Sequence, residues 1–455
     1  VYFTPKNCSR MNFLKKTFSP VLLTISLLLL INTIYMSEIY WAGNKRSFYG
    51  MYYLVSSLLI FFSIVTFFIN RKIKEYLIIS CISIVAGLYL VEGYLVFKEQ
   101  LSKEQLSKEQ LSKQRYEKKT GKKFDSRNWL ELYESLKKKN NEVVMSVPGI
   151  NYFQKNYSIF PLSGISNSET IHCNENGYFS LYESDRYGFN NPDTEWDKKE
   201  IEYLLVGDSF THGACVNRPN DIASVLRALS NKSVLNLGQH GNGPLIEYAS
   251  LREYLNLGVK KVLWIYYEEN DLIDLEKETN HNLLINYLNN LNFTQNLKTK
   301  QNKINNLAIN LIEQRIEEYK EILERKTQET FISKLIKFFK ITKVRKLFLP
   351  KTKSQVGNFE IVLQLANELV NKNNSILYFV YLPEYSRYTM SYDDTNYNLV
   401  KKIVSKLNIP FIDINEEVFK KENNPLTLFP FELPFHYTSE AYKKIAKTIY
   451  ELSKD

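Results

Sequence analysis

"YLLVGDSFTHG", Tyr203 to Gly213, is a run of apolar β-formers that breaks at Gly207 and leaves a hydroxyl, Ser209, directly behind the break. Four more short runs follow, "SVLNLG", "KKVLWIYY", "SILYFVYLP" and "IPFIDI", each rich in Val, Ile, Leu or aromatics. They are too short for buried helices and are bounded by polar or turn residues, so they read as strands. Between them stand helical patterns at 221–230, 245–255, 359–371 and 397–407, with a last one at 439–452. Strand alternating with helix predicts an α/β fold, a parallel sheet with helices on both faces.

In an open parallel sheet, ligands bind beyond the carboxyl ends of the strands. The segments that follow the strands are "GDSFTHG", "NLGQHGNGP", "YYEEND" and, after the last, "FELPFHYTSEAY". They bring a hydroxyl, a glycine turn, an amide and an imidazole to one crevice, which are the parts of an acyl-transfer site. A serine alone is a poor nucleophile near neutral pH, and His436 is the group that can take its proton and return it. Gly207 lets the chain turn off the strand with the Ser209 amide free at the start of the next helix. Each residue also has a plainer role: Ser209 as a helix cap, Gly241 in a tight turn, Asn270 and His436 as caps.

The order "GDS", then Gly, then Asn-Asp, then His near the end resembles the SGNH (GDSL-type) serine hydrolase family, in its membrane-anchored bacterial envelope form. The resemblance runs from about 202 to the end, apart from an insertion. It implies a flavodoxin-like sheet, the SGNH hydrolase fold, with Ser209 as nucleophile and its own amide in the oxyanion hole. Gly241 would add a backbone donor, Asn270 a side-chain amide, and His436 would be the base; no cofactor is implied. Two positions depart from the family pattern. Glu268 and Glu269 stand where a glycine normally precedes "ND", and Leu433 stands where an aspartate normally precedes the histidine by three residues. Either Glu432 orients His436, or the site is a Ser-His dyad whose ring is held by a backbone carbonyl, the reading preferred here. His212 and His240 flank the first two blocks and read as substrate-facing polar groups. With Asp208 they lack any zinc or di-metal ligand spacing, so no metal is expected. The stretch "ESDRYGFNNPD", 183–193, resembles segments ahead of the catalytic block in envelope-associated members. Arg186 within it either clamps a carboxylated or phosphorylated substrate or forms an ion pair with Asp185 or a neighbour.

The 44% hydrophobic content of the 455 residues is unevenly spread. Apolar runs at 20–36, 51–69 and 76–97 have the length that crosses a bilayer, which predicts three transmembrane helices. Lys6, Arg10, Lys15 and Lys16 precede the first run and Arg71, Lys72 and Lys74 separate the second from the third, whereas only Lys45 and Arg46 lie between the first two. The positive-inside bias puts the N-terminus in the cytoplasm and everything after Phe97 outside it. The catalytic domain is therefore expected in the periplasm or cell exterior, on an inner (cytoplasmic) membrane anchor. A cleaved signal peptide, the competing reading, lacks a small-x-small site. "MNFLKK" from Met11 looks like a conventional start, so the choice between Val1 and Met11 carries no weight. Glu92, near the outer end of the third run, reads as interfacial, its alternative being a functional intramembrane acid.

The expected domains are a membrane anchor at 1–98, a helical linker at 99–119, a small elaboration at 120–200 and a catalytic domain at 201–455 with a helical insertion at about 275–354. The linker contains "KEQLSKEQLSKEQLSKQ", whose five-residue period sends the leucines around the helix instead of forming a seam. It reads as a solvated spacer. Within the insertion, "FISKLIKFFKITKVRKLFLP" is basic and apolar, suited to a membrane surface or to packing on the domain. Four cysteines are too few for a disulfide scaffold, but Cys173 and Cys215 both fall in the exported part, where a bridge between them is one expectation. The net charge of +10 is scattered and accompanies no nucleic-acid motif, which argues against nucleic acid and for an anionic membrane surface or an acidic glycan as partner.

The expected activity is that of a membrane-anchored extracytoplasmic serine esterase removing O-acyl, chiefly O-acetyl, groups from an envelope polysaccharide or lipid-linked glycan. One alternative is an O-acyltransferase using the same site with a multi-span membrane partner. Another is a non-catalytic glycan-binding module.

Overall fold

In the computed structural model, which describes residues 5–40, 46–104, 108–154, 157–256, 258–326, 340–347, 356–389 and 392–454, the strands form two sheets. A small one joins β1 (Val144–Met145), β2 (Glu169–Ile171) and β3 (Leu181–Glu183) in that order. The main one contains β4 (Ile201–Gly207), β5 (Val234–Asn236), β6 (Val259–Tyr267), β7 (Ile376–Leu382) and β8 (Phe411–Asp413), which are the five apolar runs. All four pairings are parallel, and the lateral order β5-β4-β6-β7-β8 is the doubly wound, flavodoxin-like 2-1-3-4-5. The order reverses beside β4, so its carboxyl end is a topological switch point.

Side chains alternate across the sheet as the pleat requires. Leu204, Val206, Val262, Trp264 and Phe379 face one buried cluster with helices Pro244–Tyr254 and Val356–Lys372. Tyr203, Leu205, Leu263, Ile265 and Val380 face another with helices Ile222–Ser230 and Ser439–Ser453. A strand buried on both faces reads as a continuous apolar run, which is why these strands were legible.

The chain divides into two compact units, 1–105 with 326–351, and 106–325 with 352–455. The first holds three helices long and apolar enough to cross a membrane, Phe13–Tyr40, Phe48–Phe68 and Arg71–Lys98. Several of their hydroxyls bond within their own helices: Ser26 donates to the Leu22 carbonyl at 2.8 Å and Ser56 to that of Tyr52 at 2.7 Å. Glu92 has protein partners of its own. It is buried, and its carboxylate accepts the backbone N–H groups of Lys343 and Val344 at 3.0 and 2.8 Å, capping the short helix Thr342–Leu347. Arg345 of that helix reaches the Tyr52 hydroxyl at 3.0 Å. Of the basic apolar stretch at 331–350, only 340–347 lies within the described residues, and this part packs on the apolar helices of the first unit.

In the second unit, helix Lys108–Thr120 is not a spacer solvated all round. Its cations satisfy carbonyls of a tight turn in which Phe431 and Glu432 have φ of 58° and 53°. Arg115 donates to Phe431 O and Lys108 to Pro434 O, with the Lys108 ammonium 3.8 Å from the Phe435 ring centroid. The insertion also contributes to this unit, through helix Gln301–Lys326, which buries Ile304, Ala308 and Ile312 in the main core.

Candidate active site

The site is built at the switch point. A Cβ at Gly207 would lie 2.0 Å from Thr211 Oγ1 and 2.6 Å from the Ile265 carbonyl oxygen, so a side chain there would block the fold of helix Ser209–His212 over the end of β4. Asp208, not Ser209, caps this helix, accepting the Phe210 N–H at 2.8 Å. Ser209 is thus the first helical residue, and its N–H has no partner among the described residues.

His436 comes from the loop before helix Ser439–Ser453, whose cap is Thr438. Its ring packs on Phe210, with centroids 4.7 Å apart. Nε2 lies 2.9 Å from Ser209 Oγ, and Nδ1 lies 2.9 Å from Glu175 Oε2, which also accepts the His436 backbone N–H at 2.7 Å. These partners select the tautomer in which Nδ1–H donates to Glu175 and Nε2 accepts from the serine hydroxyl. Burial would depress this imidazole, but the charge and hydrogen bond of Glu175 outweigh it and the pKa is raised from its ordinary value. For Glu175, burial pushes upward and the facing His436 more than reverses it, holding the carboxyl below its ordinary value.

Glu175 is the residue that the sequence reading missed. It lies between β2 and β3, outside the main sheet, and the Cys173–Cys215 disulfide ties its loop to the segment just after Ser209, with Cα atoms 5.0 Å apart. Asn176 adds a hydrogen bond from Nδ2 to the Cys215 carbonyl at 2.9 Å. The available signal was that pairing: it carries an acid two residues beyond Cys173 to the helix of the GDS block. Both expectations for the third group are therefore corrected. A side chain, not a backbone carbonyl, holds the ring, and it is not that of Glu432, whose backbone carbonyl instead accepts from the Tyr385 hydroxyl at 2.8 Å.

Gly241, with φ of 79°, lines the same cavity, of about 400 Å³, as Ser209, Glu175, His436 and Asn270. Its N–H, like that of Ser209, has no partner among the described residues. The Asn270 amide nitrogen is held by Asp274 at 2.9 Å, which anchors the side chain at the cavity wall. The two acids that stand in place of the usual glycine separate. Glu268 turns into the protein, paired with Arg387 and accepting from the Tyr381 hydroxyl at 2.7 Å, because a buried carboxylate needs such partners. Glu269 stays at the cavity edge and accepts from the Tyr267 hydroxyl at 3.0 Å. Burial pushes Asp208 up to about 6.

His240 lines the cavity, whereas His212 does not: it is buried, its Nδ1 3.3 Å from the Gly238 carbonyl, and burial brings its pKa down to about 3. Arg186 is no clamp. It pairs with Asp193 at 2.7 Å and Asp197 at 2.8 Å, while Asp185 accepts N–H groups of its own loop and the Trp196 indole. Glu175, Cys215 and His436 bring potential ligand atoms within 4.8 Å of one another. They do not fit a metal, since the Cys215 sulfur is bonded to Cys173 and the other two are bonded to each other.

No family model matches the chain, and no curated protein matches it. Among solved structures it is similar to a protein ascribed to the lipolytic G-D-S-L family from Desulfitobacterium hafniense DCB-2, at 13% identity over 56% of this chain and 99% of that one, with a TM-score of 0.30. It is also similar to an acetyl xylan esterase, AlAXEase, at 12% identity over 56% of this chain and all (100%) of that one, with a TM-score of 0.33.

Proposed function

We propose that this chain is a membrane-anchored serine esterase of the SGNH type, acting outside the cytoplasm on O-acyl, chiefly O-acetyl, groups of an envelope glycan or glycolipid. The observation that carries the reading is the continuous hydrogen-bonded line from Ser209 Oγ through the His436 ring to Glu175, at 2.9 Å on each side of the ring. As Ser209 attacks the ester carbonyl, its proton passes to His436 Nε2, and Glu175 stabilises the imidazolium that forms. The N–H groups of Ser209 and Gly241 and the Asn270 amide receive the negative charge on the carbonyl oxygen. His436 then returns the proton to the departing sugar oxygen. Water, activated by the same ring, releases the acyl group from Ser209.

The membrane anchor rests on the three long apolar helices, and an exterior location rests on the positive-inside bias and on the disulfide, a bond that persists in oxidising compartments. The non-catalytic reading is weakened by the carboxylate of Glu175 behind the His436 ring. Full-length protein in detergent, incubated with an O-acetylated polysaccharide, is expected to release free acetate, and the Ser209→Ala variant to release none. Acetate release that survives Ser209→Ala would refute the proposal.

A further inference from the structure

A second cavity, of about 250 Å³, shares His240 with the catalytic one, and the His240 and His436 ring centroids are 6.2 Å apart. Its lining includes Trp129, His172, His240 and Arg315. Arg315 projects from helix Gln301–Lys326, half-buried, with its guanidinium 5.9 Å from the Trp129 ring centroid. Among the described residues it has neither an ion pair nor a hydrogen bond. Its position is unusual within this unit. Arg127, Arg186 and Arg387 hold carboxylates, and Arg115, Arg218, Arg227 and Arg252 hold backbone carbonyls. A guanidinium drawn partly out of water with no acceptor is costly unless an anion completes it.

The other polar groups of the cavity are neutral at physiological pH. Burial, then the charge of His436, brings His240 down to about 4, and burial with the neighbouring histidines depresses His172 as well. His172 Nε2 is enclosed and has no hydrogen-bond partner. The cavity therefore offers one cation and a flat indole beside it.

We propose that this cavity is a glycan subsite for an anionic sugar residue: Arg315 pairs with its carboxylate or phosphate, and Trp129 packs on its ring. The subsite stands one imidazole away from the catalytic base, so it would hold the acidic sugar that bears or adjoins the ester. It deepens the esterase reading by naming the substrate class, and it rests on that reading only for the bond that is cut. Planar bidentate recognition by arginine suits either oxyanion, and lysine cannot reproduce it fully.

The test compares full-length wild-type, Arg315→Gln and Arg315→Lys proteins on four acetyl esters: an O-acetylated oligouronide, an O-acetylated phospho-oligosaccharide, an O-acetylated neutral xylo-oligosaccharide and 4-nitrophenyl acetate. Arg315→Gln is expected to raise KM at least about tenfold for the preferred anionic substrate with kcat within about twofold, and to leave the neutral esters unchanged. Arg315→Lys recovers part of the loss. Which anion is affected more tells carboxylate from phosphate. Equal losses on all four esters, or no change on either anionic one, overturn the subsite. Should wild type cleave none of them, the esterase reading fails, and the subsite is judged by calorimetric binding of the deacetylated anionic oligosaccharides to Ser209→Ala. Binding weakened at least about tenfold by adding Arg315→Gln sustains it, and absence of binding to both overturns it.

Discussion

At the residue scale, the decisive group is the acid behind the imidazole. Glu175→Gln keeps the shape but removes the charge that stabilises imidazolium, and is expected to lower kcat/KM by about 10²- to 10⁴-fold. Glu432→Gln, at the position sequence reasoning favoured among side chains, is expected to stay within about twofold. The pH profile carries a separate sign. His436 must be neutral to act as base, and its pKa is raised above the ordinary imidazole value, so activity rises with pH through a midpoint above that of a free imidazole. In Glu175→Gln the depressing effect of burial is left without its main opponent, and the midpoint moves to lower pH. An unmoved midpoint would mean that Glu175 does not act on the ring. Ser209, Gly241, Asn270 and His436 were legible because strand ends of a parallel sheet must converge. Of the two readings of Arg186 the ion pair with neighbours holds, whereas His212 was misread, because polarity in sequence does not say whether a partner or burial already claims the group. Asp193 and Asp197 occupy the first, and burial encloses the second.

At the element scale, the loop that carries Glu175 belongs to the small sheet and not to the flavodoxin-like core. Its register against His436 depends on Cys173–Cys215, which closes a separation of 42 residues. The paired substitution Cys173→Ser with Cys215→Ser is expected to reduce kcat/KM at least about tenfold and to shift the acid limb as Glu175→Gln does, while the main sheet stays folded. Circular dichroism and the pH profile together separate this outcome from general unfolding. The same dependence explains why the acid was illegible: no periodic pattern places a short β2–β3 loop against a distant histidine. The insertion was recognised from its composition, but its division was not. One helix completes the main core, and the segment at 340–347 joins the apolar helices through Glu92. Glu92→Ala removes the acceptor for the N–H groups of Lys343 and Val344. It is expected to speed tryptic cleavage after Lys343 or Arg345 severalfold in detergent-solubilised protein, and an unchanged rate would show that the cap does not hold the helix.

At the scale of the whole molecule, a sheet with two apolar faces leaves few places for charge, and several acids are nevertheless enclosed near its carboxyl edge. Burial raises Glu247 and Asp271 well above their ordinary values, with Glu247 fully enclosed and neither of its oxygens hydrogen-bonded. A carboxyl whose folded pKa exceeds its unfolded one contributes stability below the unfolded value, near 4.5, and loses it as pH rises toward the folded one. These carboxyls are therefore expected to lower Tm of the full-length protein as pH rises above the ordinary carboxyl range. Glu247→Gln should flatten that decline, and an equally steep one would place the titration elsewhere. Below 6.5 the depressed His212 and His240 act oppositely, losing stability as pH falls toward their folded values of about 3 and about 4.

The central claim, a serine activated by a histidine that an off-sheet glutamate orients, is tested most directly by the rate at which a fluorophosphonate probe modifies full-length protein, with the adduct mapped by mass spectrometry. The predicted result is a single adduct on Ser209, absent in His436→Ala and at least about tenfold slower in Glu175→Gln. An adduct elsewhere, or labelling of Ser209 that is as fast without the Glu175 carboxylate as with it, would contradict the account.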